Sequence, residues 1–136
     1  MRKLPIFLLL LFAISSFGFA PSTVNDAPAD DVLCGTTLLS GCVGACGGSF
    51  KVSAEAPTSG FYCFDAVSSL CPTNGAMAGI EVNGTGIFLG DVSSGISFSF
   101  FASAGDKITI GAELFDKKSD VVCAWLGQVN ITVKQP

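Results

Sequence analysis

From Phe50 to the C-terminus, apolar and polar residues alternate with a period of two, and this excludes most folds. Phe50, Val52 and Ala54 alternate with Lys51, Ser53 and Glu55, and Ile80 and Val82 alternate with Glu81 and Asn83. Ile96, Phe98 and Phe100 alternate with Ser97 and Ser99. Ile108, Ile110, Ala112 and Leu114 alternate with Lys107, Thr109, Gly111 and Glu113, and Val129, Ile131 and Val133 with Asn130, Thr132 and Lys134. Successive side chains of a strand point to opposite faces, so each run reads as a strand with one buried face. Apolar runs at 61–65, 85–92 and 121–126 add further short strands, the last of them read as buried.

Turn residues punctuate these runs at Asn83-Gly84, Ser94-Gly95, Gly105-Asp106, 116–120 and Gly127. Asn-Gly is a hairpin dipeptide, because both central positions of a type I′ turn need positive φ. No segment between strands is long and helically periodic enough for a βαβ unit, and only residues 66–70 could hold a helical turn. Seven or eight short strands at this spacing predict an all-β fold, an antiparallel β-sandwich of jelly-roll or immunoglobulin-like topology. The expected large core fillers are Phe50, Phe88, Phe98, Phe100 and Trp125. Residues 34–48 are rich in Gly, Cys and Thr and read as a cysteine-stapled loop or short strand.

Upstream of the domain, Arg2 and Lys3 precede an apolar stretch at 4–14 and then small residues at Ser15, Ser16, Gly18 and Ala20. This is the layout of a secretory signal peptide, assigned to residues 1–20, with cleavage after Gly18 or Ala20. Residues 21–33, with Asp26, Asp30, Asp31 and two prolines, read as an acidic extended lead-in. The β-sandwich domain is then 34–136. Leu39-Ser40-Gly41-Cys42 imitates a lipoprotein box but stands too far from the apolar stretch, so Cys42 is read as an ordinary disulfide cysteine.

Beyond residue 20 the chain has no histidine and no arginine, and five lysines against eleven acids leave a net charge of −6. That balance excludes a nucleic-acid footprint, and no further apolar stretch supports membrane insertion. Missing histidine removes the serine and cysteine catalytic constellations and histidine metal sites. Missing arginine removes the bidentate carboxylate or phosphate clamp.

Cys34, Cys42, Cys46, Cys63, Cys71 and Cys123 are even in number, and in an exported chain they imply three disulfides. Six cysteines allow fifteen pairings. Spacing favours a local Cys63–Cys71 staple, with Cys123 reaching back to one of Cys34, Cys42 or Cys46 and the other two joined. The Cys42–Cys46 spacing has three intervening residues and fits neither a thioredoxin-type pair nor a zinc knuckle.

The remaining candidates are carboxylates, aromatics and glycan acceptors. Glu81 and Glu113, opposite the apolar parity of their strands, would make a glycosidase pair only if brought to about 5–10 Å, and are otherwise solvated face residues. Asp65, Asp91, Asp106, Asp116 and Asp120 lie in or beside expected turns. No cofactor is expected, calcium being the one ion the turn acids would suit, with Asp116 and Asp120 as its candidate ligands. Tyr62, Phe101 and Phe115 have the opposite parity to their neighbours, so each either packs in a second inner layer or faces a ligand. Asn83 and Asn130 head Asn-x-Thr glycosylation acceptors.

The stretch Gly105-Asp106-Lys107-Ile108-Thr109-Ile110 is similar to the turn-into-strand of many secreted sandwich modules, carbohydrate-binding and adhesin-like ones among them. That resemblance implies fold and transfers no site. The expectation is a secreted or cell-surface (or periplasmic) non-catalytic binding or adhesion module, whose partner is an extracellular carbohydrate or protein. Loops 56–60, 72–76 and 116–120 are the expected contact surfaces. A self-assembling subunit of an extracellular filament or coat is the alternative, and a small carboxylate-based hydrolase the third reading.

Overall fold

The computed structural model describes residues 34–136, so the signal and lead-in assigned to 1–20 and 21–33 lie outside the described residues. Eight strands follow in order: β1 Thr37–Gly44, β2 Ser49–Glu55, β3 Gly60–Ser68, β4 Asn74–Val82, β5 Thr85–Asp91, β6 Ile96–Ala102, β7 Lys107–Asp116 and β8 Gln128–Lys134. They form two four-stranded sheets, ordered β1-β8-β3-β6 and β2-β7-β4-β5. Every pairing is antiparallel.

The pairings β4 with β5, β3 with β6, β2 with β7 and β1 with β8 are those of one long hairpin wrapped over itself. Its tip is Asn83-Gly84, where φ is 53° at Asn83 and 82° at Gly84. Positive φ at both residues lets two residues reverse the chain between β4 and β5. Wrapping that hairpin into two sheets makes a jelly roll, so the topology left open by the sequence resolves to that one.

Between the sheets lie Ile80, Ile108, Ile110 and Ala112 on one side, and Tyr62, Phe64, Phe100, Val129, Ile131 and Val133 on the other. Phe64 stacks on Phe98 at 4.9 Å between ring centroids, Tyr62 on Phe100 at 5.9 Å, and Phe88 crosses from the opposite sheet to meet Phe98 at 5.2 Å. Phe50 lies against Gly41, where an added Cβ would fall 2.3 Å from the ring. Of the expected core fillers, Phe100 is fully buried and Phe50, Phe88 and Phe98 pack partly buried around it.

Trp125 corrects the expectation: it is 54% exposed, and the apolar run 121–126 is an irregular loop rather than a buried strand. Three further stretches take their form from the pairing. Residues 37–44 form a full strand because β8 offers a continuous partner from Thr37 to Gly44, interrupted by one register shift. The expected loop 72–76 is shortened, since Asn74, Gly75 and Ala76 pair with Asp116, Phe115 and Leu114 and so begin β4. Residues 66–68 close β3 and make no helical turn.

The three disulfides are Cys34–Cys63, Cys42–Cys46 and Cys71–Cys123. This corrects the favoured Cys63–Cys71 staple. Cys63 lies within β3 and Cys71 beyond its end, and each reaches a different part of the chain. Cys123 closes onto Cys71, which ties the 117–127 loop to the β3–β4 connection. Among the described residues no helix is long and apolar enough to cross a membrane.

Candidate functional site

In β3 the inward row is Tyr62, Phe64 and Ala66, all buried, so Phe61, Cys63, Asp65 and Val67 point away from the core. β6 continues that outward row, because Phe61 pairs with Phe101, Cys63 with Ser99 and Asp65 with Ser97. On the other flank Lys134 pairs with Cys63 and Thr132 with Asp65. The outward face of the β1-β8-β3-β6 sheet therefore combines an aromatic pair, a disulfide and a set of short polar side chains.

Phe101 is 48% exposed and meets Phe61 edge to face, with ring centroids 5.5 Å apart and planes at 74°. Four residues along β6, about 13 Å away at strand rise, the Ser97 hydroxyl donates to the Asp65 carboxylate at 2.5 Å. Beside it lies an open recess of about 470 Å³ lined by Cys34, Cys63, Phe64, Asp65, Ser97, Phe98 and Lys134. It places a carboxylate acceptor, a hydroxyl and an ammonium donor around one concavity. A smaller recess of about 260 Å³, lined by Ser40, Gly41, Cys42, Asn130, Ile131 and Thr132, lies on the opposite flank of β8. This face offers a flat ring and mixed hydrogen-bonding groups, which suits a ligand with an apolar face and several hydroxyls.

The other expected residues fall elsewhere. Tyr62 is fully buried: its ring stacks on Phe100 and its hydroxyl donates to the Thr58 carbonyl at 2.5 Å, so it offers no ligand surface. Phe115 is half-buried and lies over Gly75, its cross-strand partner, whose missing side chain makes room for the ring. Of the expected aromatic candidates, Phe101 is the one displayed.

Glu81 and Glu113 are not solvated face residues, since both are buried. Their strands are neighbours, but Glu81 pairs with Thr109 and Glu113 with Met77. That offset of four residues is about 13 Å, too long for a carboxylate pair acting across one glycosidic bond. Burial pushes the Glu113 carboxyl above its ordinary value, because water no longer solvates the charge. Its Oε1 has no hydrogen-bond partner among the described residues.

The turn aspartates serve their own loops. Asp106 accepts from the Ser103 backbone N–H at 2.8 Å and from Asn83 Nδ2 at 2.9 Å. These two bonds favour the charged form and hold its carboxyl below the ordinary range. Asp91 accepts from the Ser93 N–H and hydroxyl. Asp116 and Asp120 are exposed, and among the described residues no three acids or cysteines come together to hold a metal. Asn83 has its side chain engaged with Asp106 and with the Lys107 N–H, whereas Asn130 stands exposed on β8 with its carbonyl oxygen accepting from Gln128.

The recess itself escaped the sequence reading. Asp65, Ser97 and Lys134 come from three strands, and nothing in their spacing announces that β3 lies between β6 and β8. The exposure of Trp125 and of Val122, which is 93% exposed, was also missed, because their apolar run looks like core.

No family model matches the sequence, and no curated protein sequence matches it. Some solved structures align with the chain at low similarity. A family 35 carbohydrate binding module from Clostridium thermocellum aligns at 19% identity and a TM-score of 0.37, over 63% of this chain and 66% of that module. The EclA C-terminal domain, described as a sugar-binding protein, aligns at 11% identity and a TM-score of 0.37, over 77% of this chain and 83% of that one. Latent PorU from Porphyromonas gingivalis aligns at 13% identity and a TM-score of 0.28, over 86% of this chain but 12% of its own.

Proposed function

We propose that this domain is a secreted, non-catalytic binding module that takes a carbohydrate on the outward face of the β1-β8-β3-β6 sheet. The observation that carries the reading is Phe101, held by Phe61 with its ring half-exposed in line with the Asp65, Ser97 and Lys134 recess. A sugar presents C–H groups on one face and hydroxyls at its rim. In a sugar chain long enough to span about 13 Å, the ring would take the C–H face of one unit, while a carboxylate, a hydroxyl and an ammonium would take the hydroxyls of another. The three disulfides belong to the chemistry of an oxidising compartment, where such ligands occur.

The test is a glycan panel probed with the wild-type protein and with Phe101→Ala and Asp65→Ala. Both substituted side chains point out of the core, so the variants should keep the wild-type fold by circular dichroism. The expected result is retention of at least one glycan by wild type and a loss of at least about tenfold in affinity in each variant, roughly 1.4 kcal/mol. Wild type that retains no glycan, or variants that bind as wild type does, would overturn the reading.

A further inference from the structure

Among the described residues each sheet has two edge strands: β1 and β6 in one, β2 and β5 in the other. An exposed edge carries a row of N–H and C=O groups ready to pair, and folds usually protect it with charge, proline, bulges or a cover. Three of the four edges have such protection. The register of β1 shifts between Thr37 and Leu39. β2 carries Lys51 and Glu55. β5 is bulged opposite Ile80 and Glu81 and ends in Asp91. β6, with sequence ISFSFFA, has no charge, no proline, no glycine and no register shift, and among the described residues it pairs with β3 alone.

The start of the described chain travels towards that edge. Gly35 N–H donates to the Gln135 carbonyl and Gln135 N–H to the Thr36 carbonyl, which lays residues 35 and 36 along the end of β8. Cys34 then bonds to Cys63 in β3, the next strand over. The cross-strand partner of Cys63 is Ser99 of β6. Ser99 is 1% exposed, although Ser97 and Phe101 in the same outward row are open. From β1 over β8 to β3, the next strand in that direction is β6.

We propose that the segment preceding Cys34, residues 21–33, adds as a ninth strand to the free edge of β6. Crossing from β3 to the far side of β6 takes two inter-strand steps, about 10 Å. Thirteen extended residues reach about 43 Å, which leaves enough chain to match the seven residues of β6. Thr23-Val24 and Val32-Leu33 are strand formers on either side of Pro28. Asp26, Asp30 and Asp31 would give the new outer edge the charge that β6 lacks. A second copy pairing through β6 is the competing occupant. Seven residues of edge bury much less than the roughly 1,000 Å² that a stable interface needs. A segment tethered at Cys34 pays no translational cost to associate.

The experiment is amide hydrogen exchange, residue by residue, on secreted protein carrying residues 21–33, compared with Val24→Pro and Val32→Pro, each of which removes a donor from one half of the segment. Alternate β6 amides face β3, and the others face the edge. The expected result is slow exchange of the edge-facing amides in wild type, independent of protein concentration. At least one proline variant should exchange these amides about tenfold or more faster, with the β3-facing set unchanged. The proposal is overturned if the edge-facing amides of wild type exchange at open-chain rates, or if neither proline changes them. It is also overturned if their protection fades on dilution together with a dimeric mass, which would assign the edge to a second copy.

Discussion

Removing the disulfides one at a time should destabilise the fold in a fixed order. Cys71–Cys123 spans 52 residues, Cys34–Cys63 spans 29 and Cys42–Cys46 spans 4. A bridge restricts the unfolded chain more when the loop it closes is longer, and the chain-entropy relation gives about 4.1, 3.6 and 1.9 kcal/mol respectively at 25 °C. Native-state packing should perturb this order little. Cys46 is exposed, and Cys34, Cys42, Cys63 and Cys123 are half-buried. Cys71 is the one fully buried cysteine, and its loss deepens the largest of the three effects. The assay is equilibrium urea unfolding of the three double Cys→Ala variants without reductant. The denaturant slope should rise most in the Cys71/Cys123 variant, because its unfolded chain opens furthest. A Cys42/Cys46 variant that loses as much stability as the Cys71/Cys123 variant would refute the reasoning, since native contacts rather than loop closure would then set the values. The order also separates the observed pairing from a local Cys63–Cys71 staple, whose eight-residue loop would contribute only about 2.5 kcal/mol.

Three other outcomes are expected. Glu113→Gln should raise stability at neutral pH. Burial lifts the folded carboxyl above its unfolded value of 4.5, so stability is fully present below that value and is lost as pH rises through the folded one. Thermal melts between pH 4 and 8 should show a flatter profile in the variant. Asp106→Ala should act in the opposite sense. The wild-type carboxylate contributes above its unfolded value of 3.8 and loses that contribution as pH falls through its lower folded value. The variant should lose about 1 kcal/mol at pH 7 and converge on wild type in acid, as read by urea unfolding at each pH. Gly41→Ala should cost about 1–3 kcal/mol, because its Cβ would meet the Phe50 ring at 2.3 Å and push it from the core. Thermal unfolding together with near-ultraviolet circular dichroism would detect both the loss and the ring's displacement.

The architecture was legible where one face of a strand is apolar and the other polar. β2, β7 and β8 meet that condition, and Phe50, Ile110 and Ile131 point inward as their alternation requires. β3 does not, because Phe61, Tyr62, Cys63 and Phe64 are apolar on both parities. Its register was therefore open, and the reading of Tyr62 as a ligand-facing candidate failed with it. Residues 121–126 mislead for a different reason. An apolar run with a cysteine in its middle resembles core, yet the bridge to Cys71 fixes it as a loop with Val121, Val122 and Trp125 outward. The disulfide pairing and the Asp65, Ser97 and Lys134 recess both depend on which strands become neighbours. That is a property of how the long hairpin wraps, and no local spacing encodes it.

The Cys34–Cys63 bridge also decides how the domain would carry load. Its described ends lie side by side, since Thr37 pairs with Lys134 and Gly35 bonds to Gln135. With the cysteines reduced, a pull between Cys34 and Pro136 would peel β1 from β8 one residue pair at a time, the weakest way to break a ladder. With the bridge closed, tension entering at Cys34 passes through sulfur into β3 and leaves β1 slack. Force would then act on β8 where it is flanked by β1 and β3, and two ladders must give way instead of one. Oxidation thus changes the path of force through the domain without changing its strand order.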